Sequence, residues 1–122
     1  MDREDVRVVV VEDNEDMRVT LQHLLERDGY HVRTARDGRE AIAVIEEHKP
    51  ICVLLDLAMP RLNGVELARH VRWRYGNATV LIVVTGSECQ DELEAVESEG
   101  ADFVLRKPVD LDALSRLLPR IA

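Results

Sequence analysis

The chain has 122 residues, of which 46% are hydrophobic and only 3% aromatic, and its formal net charge is −8. This length fits one domain with an aliphatic core, while the negative charge argues against nucleic acid as a direct partner. No apolar run approaches the roughly 18 residues that a membrane span needs, and the charged N-terminus does not resemble a signal peptide. We therefore expect a single cytoplasmic domain over residues 1–122 that does not associate with membranes.

Five apolar segments of strand length alternate with five segments of helical periodicity. The strands are predicted over residues 6–11, 30–35, 51–56, 79–84 and 102–106. The helices are predicted over 14–28, from 37–38 to the residue before Pro50, from 64 until the Gly76-Asn77 pair, over about 88–99, and from Asp110, a candidate N-cap, to near Pro119. This alternation favours an α/β fold in three layers, with a parallel sheet and right-handed crossovers. The strand at 30–35 is the more polar one, which places it near a sheet edge.

Four of the predicted strands end in polar groups. The groups are Glu12 with Asp13, then Asp56, Thr85 and Lys107. In an open parallel sheet, ligands bind outside the carboxyl ends of the strands, so these side chains are candidates for one shared site. Asp56 is the most informative of them because a charge is costly to bury unless it is paired. We therefore expect it at the open end of its strand.

The three carboxylates would repel one another and require a cation. Oxygen ligands without His or Cys favour a hard ion, and Mg²⁺ typically combines a few carboxylates with water and phosphate oxygens. Together with the Lys107 ammonium and the Thr85 hydroxyl, such a site suits a phosphoryl group in transfer, with Asp56 as the nucleophile that forms an aspartyl phosphate. The alternative is a buried Asp56–Lys107 ion pair with a solvated acidic rim.

Over essentially its whole length the sequence resembles the receiver domain of two-component response regulators. The motifs that carry the resemblance are, in chain order, VVVVEDNEDMR, LLDLAMPRLNG, VVTG and GADFVLRKP. Each is modest alone, but their order and spacing together are highly specific. The resemblance implies a flavodoxin-like, doubly wound parallel sheet of strand order 2-1-3-4-5 with five helices.

The resemblance also implies roles for the acidic residues. Asp56 corresponds to the phosphoacceptor, and the donor would be a histidine kinase or a histidine phosphotransfer protein. Asp13 and Asp56 correspond to direct Mg²⁺ ligands, with the backbone carbonyl of Ala58 as a third. Glu12 corresponds to the second acid, which acts through metal-bound water.

Further roles follow from the same resemblance. Thr85 corresponds to the hydroxyl that moves toward the phosphoryl group, and Lys107 to the lysine that pairs with the acceptor and then with the phosphoryl group. The Lys107–Pro108 bond is typically cis in the family. Pro60 and Gly64 correspond to loop positions that shape the turn after the acceptor.

One departure concerns how phosphorylation is reported to the surface. The family usually has an aromatic residue three positions before the lysine, where this chain has Val104, and the aromatic Phe103 is one position earlier. Because neighbouring strand residues point to opposite faces, we predict that Phe103 packs in the core.

The resemblance implies a signalling domain rather than an enzyme, with only self-phosphorylation and slow autodephosphorylation. Its output face, which a downstream protein would bind, would comprise the fourth helix, the fifth strand and the last helix, and the domain would be a monomer or weak dimer. An acidic run over 88–99 lies on that face. It is either a solvated helix surface or a docking surface for a basic partner.

Several alternatives stay open. The chain is either a stand-alone regulator or a receiver from a larger regulator or hybrid sensor kinase. A phosphohydrolase with an aspartyl nucleophile is disfavoured because Ala58 stands where that class needs a second acid. A flavodoxin-type cofactor module is disfavoured because Glu12 and Asp13 would repel the phosphate of FMN. Of the two cysteines, Cys52 is predicted to be buried and Cys89 to be a partly exposed thiol, without a disulfide.

Overall fold

The computed structural model describes residues 6–57, 64–86 and 90–118, in which strands and helices alternate as the sequence predicts. The strands are β1 (Arg7–Val11), β2 (His31–Ala35), β3 (Cys52–Asp56), β4 (Val80–Thr85) and β5 (Phe103–Arg106). The helices are α1 (Glu15–Arg27), α2 (Gly38–His48), α3 (Gly64–Tyr75), α4 (Gln90–Ser98) and α5 (Leu111–Leu117), with a 3₁₀ turn (Gly76–Ala78) after α3. The predicted bounds lie within two residues of these.

The strands form one parallel sheet in the order β2-β1-β3-β4-β5, so the predicted topology is confirmed. In register, Val9 of β1 lies beside Val53 of β3, which lies beside Leu81 of β4. The outer strands are β2 and β5. The polar character of β2 therefore agrees with its edge position, since only one side of an edge strand is paired.

Alternate residues of each strand feed two aliphatic cores, one on each face of the sheet. Val9 and Val11 lie in the core that α2, α3 and α4 cover. Val8 and Val10 lie in the core that α1 and α5 cover. Helix α4 contributes Leu93 and Val96 as buried residues.

Helices α1, α2 and α5 begin at side chains that accept hydrogen bonds from the first turn. The Oδ1 of Asn14 accepts from the Met17 amide at 2.9 Å, and the Oδ1 of Asp37 accepts from the Glu40 amide at 2.8 Å. Asp110 accepts from two backbone amides at the start of α5, so the predicted N-cap is confirmed.

The prediction that Phe103 packs in the core is wrong. Its side chain is 41% exposed. As predicted, Phe103 and Val104 point to opposite faces of the sheet, and Phe103 lies beside Ile82 of β4. Strand β5 is the edge of the sheet, so a side chain at its start has a neighbouring strand on one side only. Val104 is partly buried and packs against the core beneath α4.

The guanidinium of Arg72 connects α3 with the stretches 76–79 and 100–102; we call these contacts the Arg72 network. It donates to the carbonyl oxygens of Gly76, Thr79 and Gly100, each at 2.7 Å. It also pairs with the carboxylate of Asp102, which accepts a 2.7 Å hydrogen bond from the Leu81 amide. The Arg72 side chain is only 15% exposed, and its bonds tie α3 to the starts of β4 and β5.

Gly76 and Gly100 both have a positive φ, but only Gly100 is crowded by another side chain. Substituting each of them by alanine therefore separates the cost of backbone strain from the cost of crowding. A Cβ on Gly100 (φ +104°) would lie 2.6 Å from the Cγ of Arg72, whereas a Cβ on Gly76 (φ +58°) would meet nothing within 4 Å. We expect Gly76→Ala to lower the free energy of unfolding by about 1 kcal/mol, the cost of a left-handed residue. We expect Gly100→Ala to lower it by about 2–4 kcal/mol, because the displaced Arg72 adds an overpacking cost. Urea unfolding of both variants measures the difference, and equal losses would contradict this role for Gly100.

Cys52 is fully buried, as predicted, and burial raises the pKa of its thiol to about 12. Such a thiol is unreactive at neutral pH. Cys89 lies outside the described residues. Across the described ranges, no helix combines the length and apolar character that crossing a bilayer demands.

Candidate functional site

The candidate side chains lie at the carboxyl ends of four strands of the sheet. Glu12 and Asp13 follow β1, Asp56 is the last residue of β3, Thr85 is the last residue of β4, and Lys107 follows β5. Because all four strands are parallel, their carboxyl ends lie on the same side of the sheet.

The acidic side chains and the lysine lie within contact distance of one another. Glu12, Asp13 and Asp56 each offer a carboxylate oxygen, and these oxygens all lie within 4.8 Å of one another. The Nζ of Lys107 lies 3.2 Å from the Oδ2 of Asp56 and 3.4 Å from the Oε1 of Glu12. The structure thus brings together three carboxylates and one ammonium group.

The site is buried on one side and open on the other. Glu12 and Asp56 are 2% and 4% exposed, whereas Asp13 is exposed. A cavity of about 10 Å³ beside the two buried acids has a mainly aliphatic lining that includes Met17 and Val84. Carboxylates in such surroundings lose hydration, so neighbouring charges act on them strongly.

Burial and the neighbouring acid together make Glu12 a weak acid. Burial raises its pKa, the hydrogen bond and negative charge of Asp56 raise it further, and Lys107 offsets this only in part, which leaves the pKa at about 8. The second carboxylate oxygen, Oε2, is buried and has no hydrogen-bond partner among the described residues. Burial and the neighbouring Asp56 thus favour the protonated form of this carboxyl group, whereas a bound cation would favour the ionised form.

Lys107 keeps its charge in this environment. Burial alone would lower its pKa, but the hydrogen bonds and negative charges of Asp56 and Glu12 outweigh burial and raise the pKa above its ordinary value. One ammonium group cannot balance three carboxylates, so the site has an excess of negative charge when all three acids are ionised.

The donor set fits a hard divalent cation. All three side chains offer oxygen, the ligand atom that Mg²⁺ prefers, and the Oε2 of Glu12 is a buried acceptor that a cation or its water would satisfy. Glu12, Asp13 and Asp56 could hold such an ion. Ala58, whose carbonyl was expected as a further ligand, lies outside the described residues.

Backbone contacts fix the position of Lys107 relative to β4. Thr85 is fully buried, and its carbonyl oxygen accepts a 2.8 Å hydrogen bond from the Lys107 amide. The Lys107–Pro108 bond is cis, as the family resemblance implied. A Cβ added to Gly86 would lie 3.9 Å from the Cδ of Lys107, which leaves space around the lysine stem.

Gly64 permits a close approach between the start of α3 and the end of β3. A Cβ at this position would lie 2.8 Å from the Cδ1 and 3.1 Å from the Cα of Leu57. A larger residue would displace the chain directly after Asp56. Pro60, the other residue expected to shape this turn, lies outside the described residues.

Arg18 is a contributor that the sequence did not single out. Its Nη1 donates a 3.1 Å hydrogen bond to the backbone carbonyl of Glu12, so α1 holds the acidic turn in place and brings a positive charge near it. The signal in the sequence is slight: Arg18 stands one helical turn after the N-cap Asn14, from where it can reach back to the turn.

Comparison with known proteins gives a consistent result. A family model described as the response regulator receiver domain matches residues 8–118. Among curated proteins, the chain is 39% identical over 109 residues to the response regulator MprA of Mycolicibacterium vanbaalenii, a match that covers 89% of this chain and 47% of that protein. The chain spans about half the length of the curated relatives that it matches.

Two solved structures illustrate the similarity of fold. The signal receiver domain of a response regulator from Bermanella marisrubri has a TM-score of 0.83 and 32% identity, and the match covers 95% of this chain and 94% of that one. A response regulator from Burkholderia pseudomallei, solved with a phosphorylated aspartic acid, a calcium ion and citrate, has a TM-score of 0.85 and 27% identity, covering 93% of this chain and 66% of that one.

Proposed function

Since this chain belongs to the response regulator receiver domain family, we propose that it accepts a phosphoryl group on Asp56 in two-component signalling. The observation that carries the proposal is the buried Asp56 carboxylate with Lys107 at 3.2 Å and two further acids beside it. We extend the proposal to a single domain over residues 1–122, supported by a family match that covers 8–118.

The proposed donor is a phosphohistidine on a histidine kinase or a histidine phosphotransfer protein. A carboxylate oxygen of Asp56 attacks the phosphorus atom, a P–O bond forms, and the P–N bond to the donor imidazole breaks. The imidazole keeps the bonding electrons and takes up a proton. Lys107, which contacts both Asp56 and Glu12, can then pair with an oxygen of the phosphoryl group.

Mg²⁺ held by Glu12, Asp13, Asp56 and the Ala58 carbonyl would, when bound, offset the negative charge of the acids and of the incoming phosphoryl oxygens. The chain's own contribution is to keep Glu12 and Asp56 away from bulk water and to hold the three acids close together. The phosphorylated aspartic acid and calcium ion in the Burkholderia pseudomallei relative support the pairing of acceptor and cation.

The proposed output uses the buried Thr85 and the surface of α4, β5 and α5. In this proposal the Thr85 hydroxyl moves toward the phosphoryl group and a downstream protein reads the change on that surface. Val104 packs beneath α4, so a movement of β4 would reach α4 through a small aliphatic contact. The chain would act as a cytoplasmic signalling domain, with self-phosphorylation and slow autodephosphorylation as its only reactions.

Incubation with a small acyl phosphate tests the proposal directly. With Mg²⁺ present, we expect the intact mass to increase by one phosphoryl group, as the P–O bond to the acyl group breaks and the carboxylic acid leaves. A chelator should prevent the increase, because the acids then repel the donor. Equal uptake with and without the divalent cation, or turnover of a phosphoester substrate, would contradict the proposal.

A further inference from the structure

Trp73 is the one tryptophan of the chain, and it lies almost entirely in solvent. Its side chain is 80% exposed on the outer surface of α3. Among the described side chains, only His70 contacts it through a ring, with centroids 6.4 Å apart. Trp is uncommon on surfaces that stay in water, and it is enriched at the centres of protein interfaces.

Arginines with spare hydrogen-bond donors lie on either side of Trp73. Arg69 bonds to Glu99 at 3.0 Å and Arg74 bonds to Glu46 at 2.9 Å, and their side chains are 63% and 50% exposed. A guanidinium carries five N–H donors, and each of these arginines uses one in the contact described. The pairs link the two side chains to neighbouring elements, and together with Trp73 they give this part of α3 an aromatic and basic surface.

The neighbouring helix in the same layer carries the opposite charge. Helix α4 has the sequence QDELEAVES, with no Lys or Arg, and Asp91, Glu94 and Glu97 are exposed on it. Its buried Val96 belongs to the same core as Leu67 of α3. The two helices therefore form one surface with a basic, aromatic half and an acidic half.

Such a surface is complementary to itself. Consider a two-fold axis that lies in the plane of contact, parallel to the two helices and midway between them. Rotation about this axis places α3 of one copy on α4 of the other, and the same contact occurs a second time with the copies exchanged. We propose that a second copy of this chain binds this surface, with Trp73 buried against α4 of the partner and Arg69 facing its acidic residues. This inference does not depend on the proposed phosphoryl chemistry.

The chain provides its own probe of this contact, because the sole tryptophan lies at its centre. On raising the protein concentration, we expect the fluorescence emission to move to shorter wavelength as Trp73 leaves water, while the mass from light scattering rises toward that of a dimer. Added salt should weaken the association, because it screens the opposite charges. Salt that strengthens association, or emission and mass that stay constant up to the solubility limit, would overturn the proposal.

Charge reversal sharpens the test. Arg69→Glu and Glu97→Arg should each abolish the concentration-dependent shift, since each places like charges on both sides of the two-fold contact. Mixed in equal amounts, the two variants should restore the shift, because each heterodimer contact again joins opposite charges. Arg36→Glu breaks a comparable surface ion pair, with Glu40 in the first turn of α2, that is not part of the proposed interface, and it should change nothing. Failure of the mixture to associate, or equal loss in the Arg36→Glu control, would refute the interface.

Discussion

The Asp56→Asn variant is expected to take up no phosphoryl group from a small acyl phosphate, even with Mg²⁺ in excess. An amide is a far weaker nucleophile than a carboxylate and cannot form the acyl phosphate. The substitution keeps the size of the side chain at a site that is 4% exposed, so the effect isolates the chemistry. Intact-mass measurement against the unsubstituted chain gives the result.

Stability provides the control for that experiment. The Asp56→Asn substitution removes a negative charge beside Glu12 and Asp13, and this charge is one of the reasons why the pKa of Glu12 is raised. The variant should therefore unfold at the same urea concentration as the parent or a higher one. Asp16→Asn, at an exposed position of α1, should accept the phosphoryl group normally. Retained uptake in Asp56→Asn would assign the acceptor role to another residue.

The second large effect is on the pH dependence of the metal-free domain. The pKa of Glu12 is about 8 in the folded state and near 4.5 ordinarily, so between these values the folded state binds more protons than the unfolded state. The free energy of unfolding therefore falls as pH rises through this window, by at most about 1.4 kcal/mol per pH unit. The loss continues until the pH passes the folded-state pKa.

The window from pH 7 to 8.5 isolates this carboxyl group. Burial lowers the pKa of His48 below its ordinary value near 6.5, so His48 contributes a change of opposite sign, and most of that change occurs below pH 7. Urea unfolding in a chelator should show falling stability over this window. Saturating Mg²⁺ should remove most of the fall, because a cation bound beside Glu12 favours its ionised form and so lowers its pKa in the folded state.

Glu12→Gln should flatten the same profile in the chelator and make the metal-free domain more stable at pH 8.5 than the parent. It should also weaken the stabilisation by Mg²⁺. The exposed Glu26 provides a matched control, since Glu26→Gln leaves the buried carboxylates in place. A parent profile that is flat or rising between pH 7 and 8.5 would show that Glu12 is already ionised in the folded state.

The sequence predicted the scaffold because the scaffold depends on local signals. Apolar runs of strand length, N-caps such as Asp110 and the glycines after helices each act within a few residues. The strand-terminal position of Asp56 followed from the cost of burying a charge. Parallel strands then bring their ends together, so the grouping of Asp56 with Glu12 needed only the topology.

Other features depend on packing between distant segments, which spacing does not encode. The exposure of Phe103 follows from the position of β5 at the sheet edge, and the exposure of Trp73 from the orientation of α3. Arg72 and Arg18 resemble ordinary surface arginines in the sequence, yet Arg72 connects three segments of the chain and Arg18 holds the acidic turn. Their roles depend on hydrogen bonds to residues that are distant in the sequence or belong to the backbone, and residue spacing does not indicate such bonds.

The Arg72 network requires a particular residue type at only a few positions of the sequence. Three of its four acceptors are main-chain carbonyl oxygens, at Gly76, Thr79 and Gly100, and any residue type supplies such an oxygen. Only the guanidinium of Arg72, the carboxylate of Asp102 and the missing Cβ of Gly100 are specified by side-chain identity. A sequence can thus change at nearly every position around this network and still keep the connection between α3, β4 and β5, provided that these three residues are retained together.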